Sequence, residues 1–90
     1  MEYSKDYLIS AHKYCIFNRD SILKSDVCGC FYCLATFNPA QINVWIDEDD
    51  KDVGQTAMCA KCELDCVIGS NSGFPVTDKD FLKQMNKYWL

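Results

Sequence analysis

The sequence predicts a small α+β domain, in which helices at the two ends flank short strands and two tight cysteine turns. Ninety residues are too few for two self-supporting cores, so residues 1–90 are expected to form a single domain. Hydrophobic residues make up 49% and charged residues 24%, which is typical of a globular rather than a disordered chain. The third observation is the arrangement of seven cysteines, four of which form two Cys-x-x-Cys pairs between the helical ends.

The first 25 residues are predicted to be helical. Apolar residues recur at spacings of three and four between Tyr3 and Cys15, which is the period of one helical face. Ser4 is a preferred residue for the N-cap. Asn18 is expected to interrupt the helix and to cap a short second helix over residues 19–24. One longer helix is the alternative.

The segment between the cysteine pairs is predicted to contain a short strand at residues 34–37 and a helix at residues 39–46. Asn38 is a good N-cap, Pro39 suits the first helical position, and Gln41 is placed to bond back to the cap. The buried face of this helix would consist of Ile42, Trp45 and Ile46.

The remaining chain alternates between loops and regular elements. Residues 47–52 are expected to form an acidic turn, residues 54–58 and 66–68 short strands, and residues 69–73 a loop. The last helix is predicted to start at Thr77, with Asp80 at the capping-box position. Its apolar stripe would consist of Phe81, Leu82, Met85, Tyr88 and Trp89.

The cysteine spacing predicts a metal site. Two residues separate Cys30 from Cys33, and two separate Cys59 from Cys62. Such a spacer lets both sulfurs of one turn bind the same ion, and two turns complete the tetrahedral shell typical of Zn²⁺. We therefore expect one structural Zn²⁺ ion, because four thiolates leave no position open for a substrate. The expected fold is a zinc-stabilised domain of the zinc-ribbon or treble-clef type.

The other three cysteines leave alternatives open. Cys28 could replace Cys30 as a ligand, and Cys66 could substitute within the second pair if a helix begins there. Otherwise Cys15 and Cys66 are expected to be small buried apolar residues. A second zinc site would require four residues that no sequence pattern brings together, namely His12, Cys15, Cys28 and Cys66.

The charge balance disfavours a generic nucleic-acid-binding zinc finger. Nine basic against thirteen acidic residues give a net charge of −4, and only Lys51 and Lys61 are basic between Ser25 and Asp78. A protein partner is the leading expectation, through aromatic and acidic surface, with self-association as a second use of that surface. Nucleic-acid or nucleotide binding is the alternative, through Lys13, Arg19 and Lys24 or through Lys79, Lys83 and Lys87.

No catalytic constellation accompanies the cysteines, so a non-enzymatic adaptor or regulator is expected. A thioredoxin-like motif would require a strand–CxxC–helix setting in a parallel fold. His12 is the only histidine, which disfavours nucleases of the His-Asn-His class. The remaining enzymatic hypothesis pairs His12 as base with Cys15 or Cys28 as nucleophile.

Localisation is predicted from the same features. The first residues lack the basic and apolar regions of a signal peptide, and no apolar run approaches the roughly 20 residues of a membrane span. Cysteine-rich chains of this kind are more often metal-binding than disulfide-bonded. A cytoplasmic location without membrane contact is expected.

Four runs of the sequence resemble a family of short bacterial and phage proteins that usually carry only the label "cytoplasmic protein". The runs are SDVCGCFYCLATFNP (25–39), GQTAMCAKC (54–62), CVIG (66–69) and GFPVTDKDFLKQM (73–85). The likeness spans about residues 12–90, and Cys28, Cys30, Cys33, Cys59 and Cys62 match its signature. Two features depart from it, because Cys66 replaces a serine and the acidic insert around residues 48–52 is longer. The resemblance implies zinc binding and a cytosolic setting but no mechanism. A phage- or bacterium-encoded modulator of a host protein is one form that the expected adaptor or regulator would take.

Overall fold

The computed structural model describes residues 2–90 and confirms the α+β fold class. Its helices are α1 (Lys5–His12), α2 (Arg19–Leu23) and α3 (Lys79–Trp89). Its strands are β1 (Cys28–Cys30), β2 (Thr36–Phe37), β3 (Trp45–Glu48), β4 (Gly54–Ala57) and β5 (Val67–Gly69). Single 3₁₀ turns lie at Lys13–Cys15, Pro39–Gln41 and Ser70–Ser72.

The N-terminal segment is divided at Asn18, as the sequence predicts. Ser4 caps α1 as expected, but the Asn18 side chain makes no capping bond to α2. Its amide nitrogen instead donates to the carbonyls of Tyr14 and Val67, both at 2.8 Å. Its side-chain oxygen accepts the N–H of Ala57 at 3.1 Å. This buried amide therefore joins the N-terminal helices to β4 and β5.

The predicted helix at residues 39–46 is wrong. The capping box formed by Asn38 and Gln41 is present, but it starts only the 3₁₀ turn Pro39–Gln41. The chain then becomes β3, where Trp45 and the residues after it pair with β4. This run is rich in β-branched and aromatic side chains, which suit a strand once a partner strand is available. The capping box therefore marks where a helical turn starts, but it does not determine how many residues the helix contains.

β1 lies at the centre of a three-stranded antiparallel sheet with the order β2-β1-β5. Gly29 pairs with Thr36 on one side and with Ile68 on the other. A Cβ atom at Gly29 would lie 2.7 Å from the carbonyl oxygen of Val76, so only glycine lets the segment before α3 approach this closely. The sheet thus fixes the last residue of β1, which is Cys30.

β3 and β4 form a separate hairpin, and the predicted acidic turn is its tip rather than a link after a helix. The Asp49 carboxylate accepts the N–H groups of Val53 and Lys51, which hold the pKa of that carboxyl below its usual range. The guanidinium of Arg19 lies over the Trp45 ring at 4.6 Å and donates to the Gly54 carbonyl at 2.7 Å. Arg19 therefore fixes the hairpin against α2.

The C-terminal helix completes the core. It begins at Lys79 after the N-cap Asp78, whose carboxylate accepts the N–H of Asp80 at 2.9 Å, so the predicted start at Thr77 is two residues too early. The predicted apolar stripe packs inward at Phe81, Leu82 and Met85, while Tyr88 stays exposed. The Tyr3 hydroxyl donates to the Asp78 carboxylate at 2.6 Å and thereby holds the N-terminal segment against this helix.

The Tyr3–Asp78 bond predicts a pH-dependent stability on the alkaline side. The bond raises the pKa of Tyr3 to about 12 in the folded chain, against about 10 when unfolded. The neutral phenol is therefore favoured by folding, and this stabilisation is complete below pH ~10 and lost as the pH rises through ~12. We expect Tyr3→Phe to lower the free energy of unfolding at about pH 8 and to differ less from wild type above about pH 11. Urea titrations at the two pH values measure this, with Tyr88→Phe as the control. A deficit that is equal at both pH values would contradict the assignment.

Candidate metal centre

Four sulfur atoms converge at one point of the structure. The Sγ atoms of Cys30, Cys33, Cys59 and Cys62 all lie within 4.8 Å of one another. Cys30 Sγ lies 3.7 Å from Cys62 Sγ, and Cys33 Sγ lies 3.7 Å from Cys59 Sγ. A tetrahedron with metal–sulfur bonds of about 2.3 Å has edges of about 3.8 Å, whereas a disulfide would bring two sulfurs to about 2.05 Å. The spacing therefore fits four ligands around one ion.

The two cysteine turns, knuckle 1 (residues 30–35) and knuckle 2 (residues 59–64), share one backbone arrangement. In each, the N–H of the first cysteine donates to the carbonyl five residues later, at 3.0 Å in knuckle 1 and 2.8 Å in knuckle 2. The residue four positions after the first cysteine donates back to that cysteine's carbonyl, at 2.9 and 3.0 Å. The intervening residues differ between the knuckles, so the geometry follows from the spacing and the closing hydrogen bonds.

Backbone N–H groups point at the sulfur atoms inside each knuckle. The N–H of Tyr32 donates to Cys30 Sγ at 3.4 Å. In knuckle 2 the N–H groups of Lys61 and Cys62 donate to Cys59 Sγ at 3.3 and 3.4 Å. These bonds fix the direction of the sulfurs and stabilise negative charge on them.

Burial and hydrogen bonding act against each other on the thiols. Burial raises the pKa of Cys30 far above its usual range and also raises the pKa of Cys62. Burial opposes ionisation of Cys59 as well, but N–H bonds from Cys62 and Lys61 bring its pKa below the usual value. A set of four thiolates at this position therefore needs a cation to balance its charge.

Both knuckles contain a backbone conformation that favours glycine. Leu34 has φ = 67° and Glu63 has φ = 61°, and each directly follows the second cysteine of its knuckle. The left-handed conformation costs a non-glycine residue about 1–2 kcal/mol. Each knuckle therefore carries strain at the same place, which the rest of the structure must offset.

The possible substitute ligands lie outside the cluster. Cys28 and Cys66 are buried, and burial raises the pKa of Cys28 to about 11 and that of Cys66 to about 12. Cys15 is likewise buried, with its pKa raised to about 11. Within residues 2–90 the structure forms no second group of metal-ligating side chains, so His12 does not join these cysteines in a site.

His12 and two of the basic residues are engaged in packing. The His12 ring stacks on the Trp89 indole with ring centroids 3.8 Å apart. Arg19 is held against Trp45, and Lys79 Nζ donates to the Leu34 carbonyl at 3.0 Å. The other predicted nucleic-acid contacts are exposed, namely Lys13, Lys24, Lys83 and Lys87.

Helix α3 holds knuckle 1 in place, which no sequence pattern indicates. Lys79 binds the carbonyl of Leu34, and Asn86 Nδ2 donates to the carbonyl of Tyr32 at 3.1 Å. These two bonds lie on either side of Cys33. Because the partners are about half the chain apart, only the folded arrangement of α3 against β1 brings them together.

The chain matches no protein-family model, no curated protein and no solved structure. None of the helices described within residues 2–90 combines the length and apolar character that crossing a bilayer requires. The geometry of the cysteine cluster and of the surface is therefore the basis for a functional conclusion.

Relief of the backbone strain in knuckle 2 gives a direct test of its geometry. Glu63→Gly removes a side chain from a residue with positive φ, so we expect it to raise the free energy of unfolding by up to about 1 kcal/mol. The matched control is Lys61→Gly in the same knuckle, which has no positive φ to relieve and should lower stability. Denaturant unfolding of the metal-loaded proteins measures both. Destabilisation by Glu63→Gly would contradict the left-handed conformation at this residue.

Proposed function

We propose that this chain is a non-enzymatic protein-binding module, an adaptor or regulator, whose fold depends on one structural Zn²⁺ ion. The observation that supports the metal is the convergence of four sulfurs with separations of 3.7 Å between the knuckles. A tetrahedral set of four thiolates favours zinc or iron, and zinc suits a purely structural site. Four protein ligands fill the zinc shell and leave no position for a substrate.

The energetic scale supports a structural role for the ion. Apparent zinc affinities in small modules correspond to about 10–16 kcal/mol, whereas whole domains have net stabilities of about 5–15 kcal/mol. The protein carries strain in both knuckles and a small core. Zinc binding is therefore large enough to decide whether the chain folds.

Metal removal tests this part of the proposal. We expect the purified, reduced protein to hold one zinc ion, and a strong chelator to abolish its near-ultraviolet circular dichroism. Added Zn²⁺ should restore the signal. Cys30→Ala should prevent loading, whereas Cys28→Ala, which alters a buried cysteine outside the cluster, should still load one ion. Native mass spectrometry counts the metal. An unchanged fold after metal removal, or iron in place of zinc, would contradict the proposal.

Phe17 is the surface feature that supports protein binding. Its side chain is 68% exposed, although its φ of 46° is costly for an aromatic residue. Its N–H donates to Thr56 Oγ1 at 2.8 Å, and the buried Thr56 hydroxyl donates to Asp47 Oδ2 at 2.7 Å. A strained backbone and a partly buried hydrogen bond thus hold a large aromatic ring in solvent. Strain of this kind is concentrated at functional sites.

The surroundings of Phe17 define the chemistry of its partner. Ile16 beside it is 45% exposed, and Asp47 at its base belongs to the acidic hairpin tip, residues 47–52. We call Ile16, Phe17 and Asp47 the Phe17 surface. An aromatic side chain held in place before binding loses little conformational entropy on contact. Its acidic neighbours favour a partner whose binding pocket is bordered by basic residues. The partner expected here is a protein with an apolar pocket bordered by Lys or Arg.

Replacement of Phe17 separates binding from folding. Phe17→Asn removes the ring, and asparagine tolerates positive φ, so the free energy of unfolding should stay equal or rise by up to about 1 kcal/mol. Loss of an aromatic anchor should weaken partner binding by about 2 kcal/mol or more, which is roughly 30-fold. Pull-down from cell lysate followed by titration of the recovered protein measures this. Leu90→Ser, which alters another exposed apolar residue, is the control. Equal binding by Phe17→Asn, or recovery of nucleic acid instead of protein, would contradict the proposal.

A further inference from the structure

The four cysteine residues of the candidate metal centre differ in their exposure to solvent. Cys30 and Cys59 are buried, Cys62 is partly buried, and Cys33 is exposed. A reagent that attacks a thiolate must approach the sulfur from the side away from the metal. Cys33 is the most exposed residue of the four, so the chain hinders an approaching reagent least there.

The sulfurs also differ in the hydrogen bonds that they accept. Cys30 Sγ accepts the N–H of Tyr32, and Cys59 Sγ accepts two N–H groups of knuckle 2. Within the described chain, Cys33 Sγ accepts no N–H; it lies 3.7 Å from Cys59 Sγ and within 4.8 Å of the other two sulfurs. A hydrogen bond to a thiolate withdraws charge from it and reduces its nucleophilicity. Cys33 would therefore keep the most charge available for reaction.

Cys33 is also held in position. The bond from Lys79 to the Leu34 carbonyl and the bond from Asn86 to the Tyr32 carbonyl fix the residues on both sides of it. The exposed residue Cys33 thus lies between two backbone carbonyls that side chains of α3 bind. Its position is part of the folded structure and does not depend on a local opening of knuckle 1.

We propose that Cys33 is a modification site, the thiolate at which soft carbon electrophiles alkylate this metal centre first. The inference rests on the proposed zinc site, since zinc binds cysteine as the thiolate, which is the nucleophilic form. With iodoacetamide, a lone pair of Cys33 Sγ forms the S–C bond, the C–I bond breaks, and iodide leaves. The product is a neutral thioether, and no oxidant or reductant takes part.

Alkylation opens the centre. A thioether is a poor zinc ligand beside three thiolates, so Cys30, Cys59 and Cys62 alone would hold the ion. The affinity for zinc falls, and the ion passes to a competing chelator. The surface chemistry of one cysteine thus controls retention of the ion that stabilises the fold.

The test is competitive labelling of the zinc-loaded full chain. The protein is treated with sub-stoichiometric iodoacetamide at neutral pH beside a metallochromic zinc indicator, and peptide mapping by mass spectrometry locates the label. We expect most of the first label on Cys33, with zinc release at the same rate. Predominant labelling of Cys62, of a buried ligand, or of Cys15, Cys28 or Cys66 would overturn the proposal.

A pair of variants assigns the reaction to the sulfur itself. Cys33→His and Cys62→His each replace one thiolate with a nitrogen ligand that zinc accepts. The fast phase of labelling and zinc release should be lost in Cys33→His and kept in Cys62→His. The reverse pattern, or a fast phase in both, would overturn the proposal. If either variant fails to load zinc, the wild-type peptide map decides the question alone.

Native mass spectrometry before labelling separates the zinc hypothesis from the hypothesis about Cys33. A metal-free wild-type protein would refute the zinc proposal irrespective of where the label falls.

Discussion

The fold depends on the approach of four sulfur atoms from two separate turns. Knuckle 1 extends from the end of β1 in the central sheet, and knuckle 2 follows β4 of the hairpin. The two sheets share no strand, so the sulfur cluster is a principal link between them. Other links are polar contacts of the N-terminal segment, among them those of Asn18 and Arg19, and the apolar core to which both sheets contribute. The arrangement of the sheets therefore depends on the sulfur cluster together with these contacts.

The local parts of this structure follow from local sequence signals. The two-residue spacing of the cysteines specifies the knuckles, because the closing hydrogen bonds involve only residues within five positions. The cap at Ser4 and the apolar stripe from Phe81 to Met85 are equally local. The cysteine cluster and both terminal helices could therefore be predicted without knowledge of the tertiary structure.

The remainder depends on partners that are distant in sequence. The segment at Trp45 has a capping box before it and is still a strand, because β4 supplies a ladder that a short helix could not equal. Asn18 occupies a capping position but bonds to β4 and β5. The bonds of Lys79 and Asn86 to knuckle 1 connect residues that no periodicity relates. Such contacts cannot be predicted from local sequence patterns, because they stabilise the chain only after folding has brought distant residues together.

The position of α3 in the chain has a consequence for biosynthesis. All four clustered cysteines leave the ribosome before Lys79 and Asn86, which hold knuckle 1 from both sides. Because a chain is synthesised from its N-terminus, the residues of both knuckles are made before the helix that supports knuckle 1. The bonds of Lys79 and Asn86 to knuckle 1 therefore form only after residues 79–86 have left the ribosome, and until then nothing from α3 holds the backbone beside Cys33.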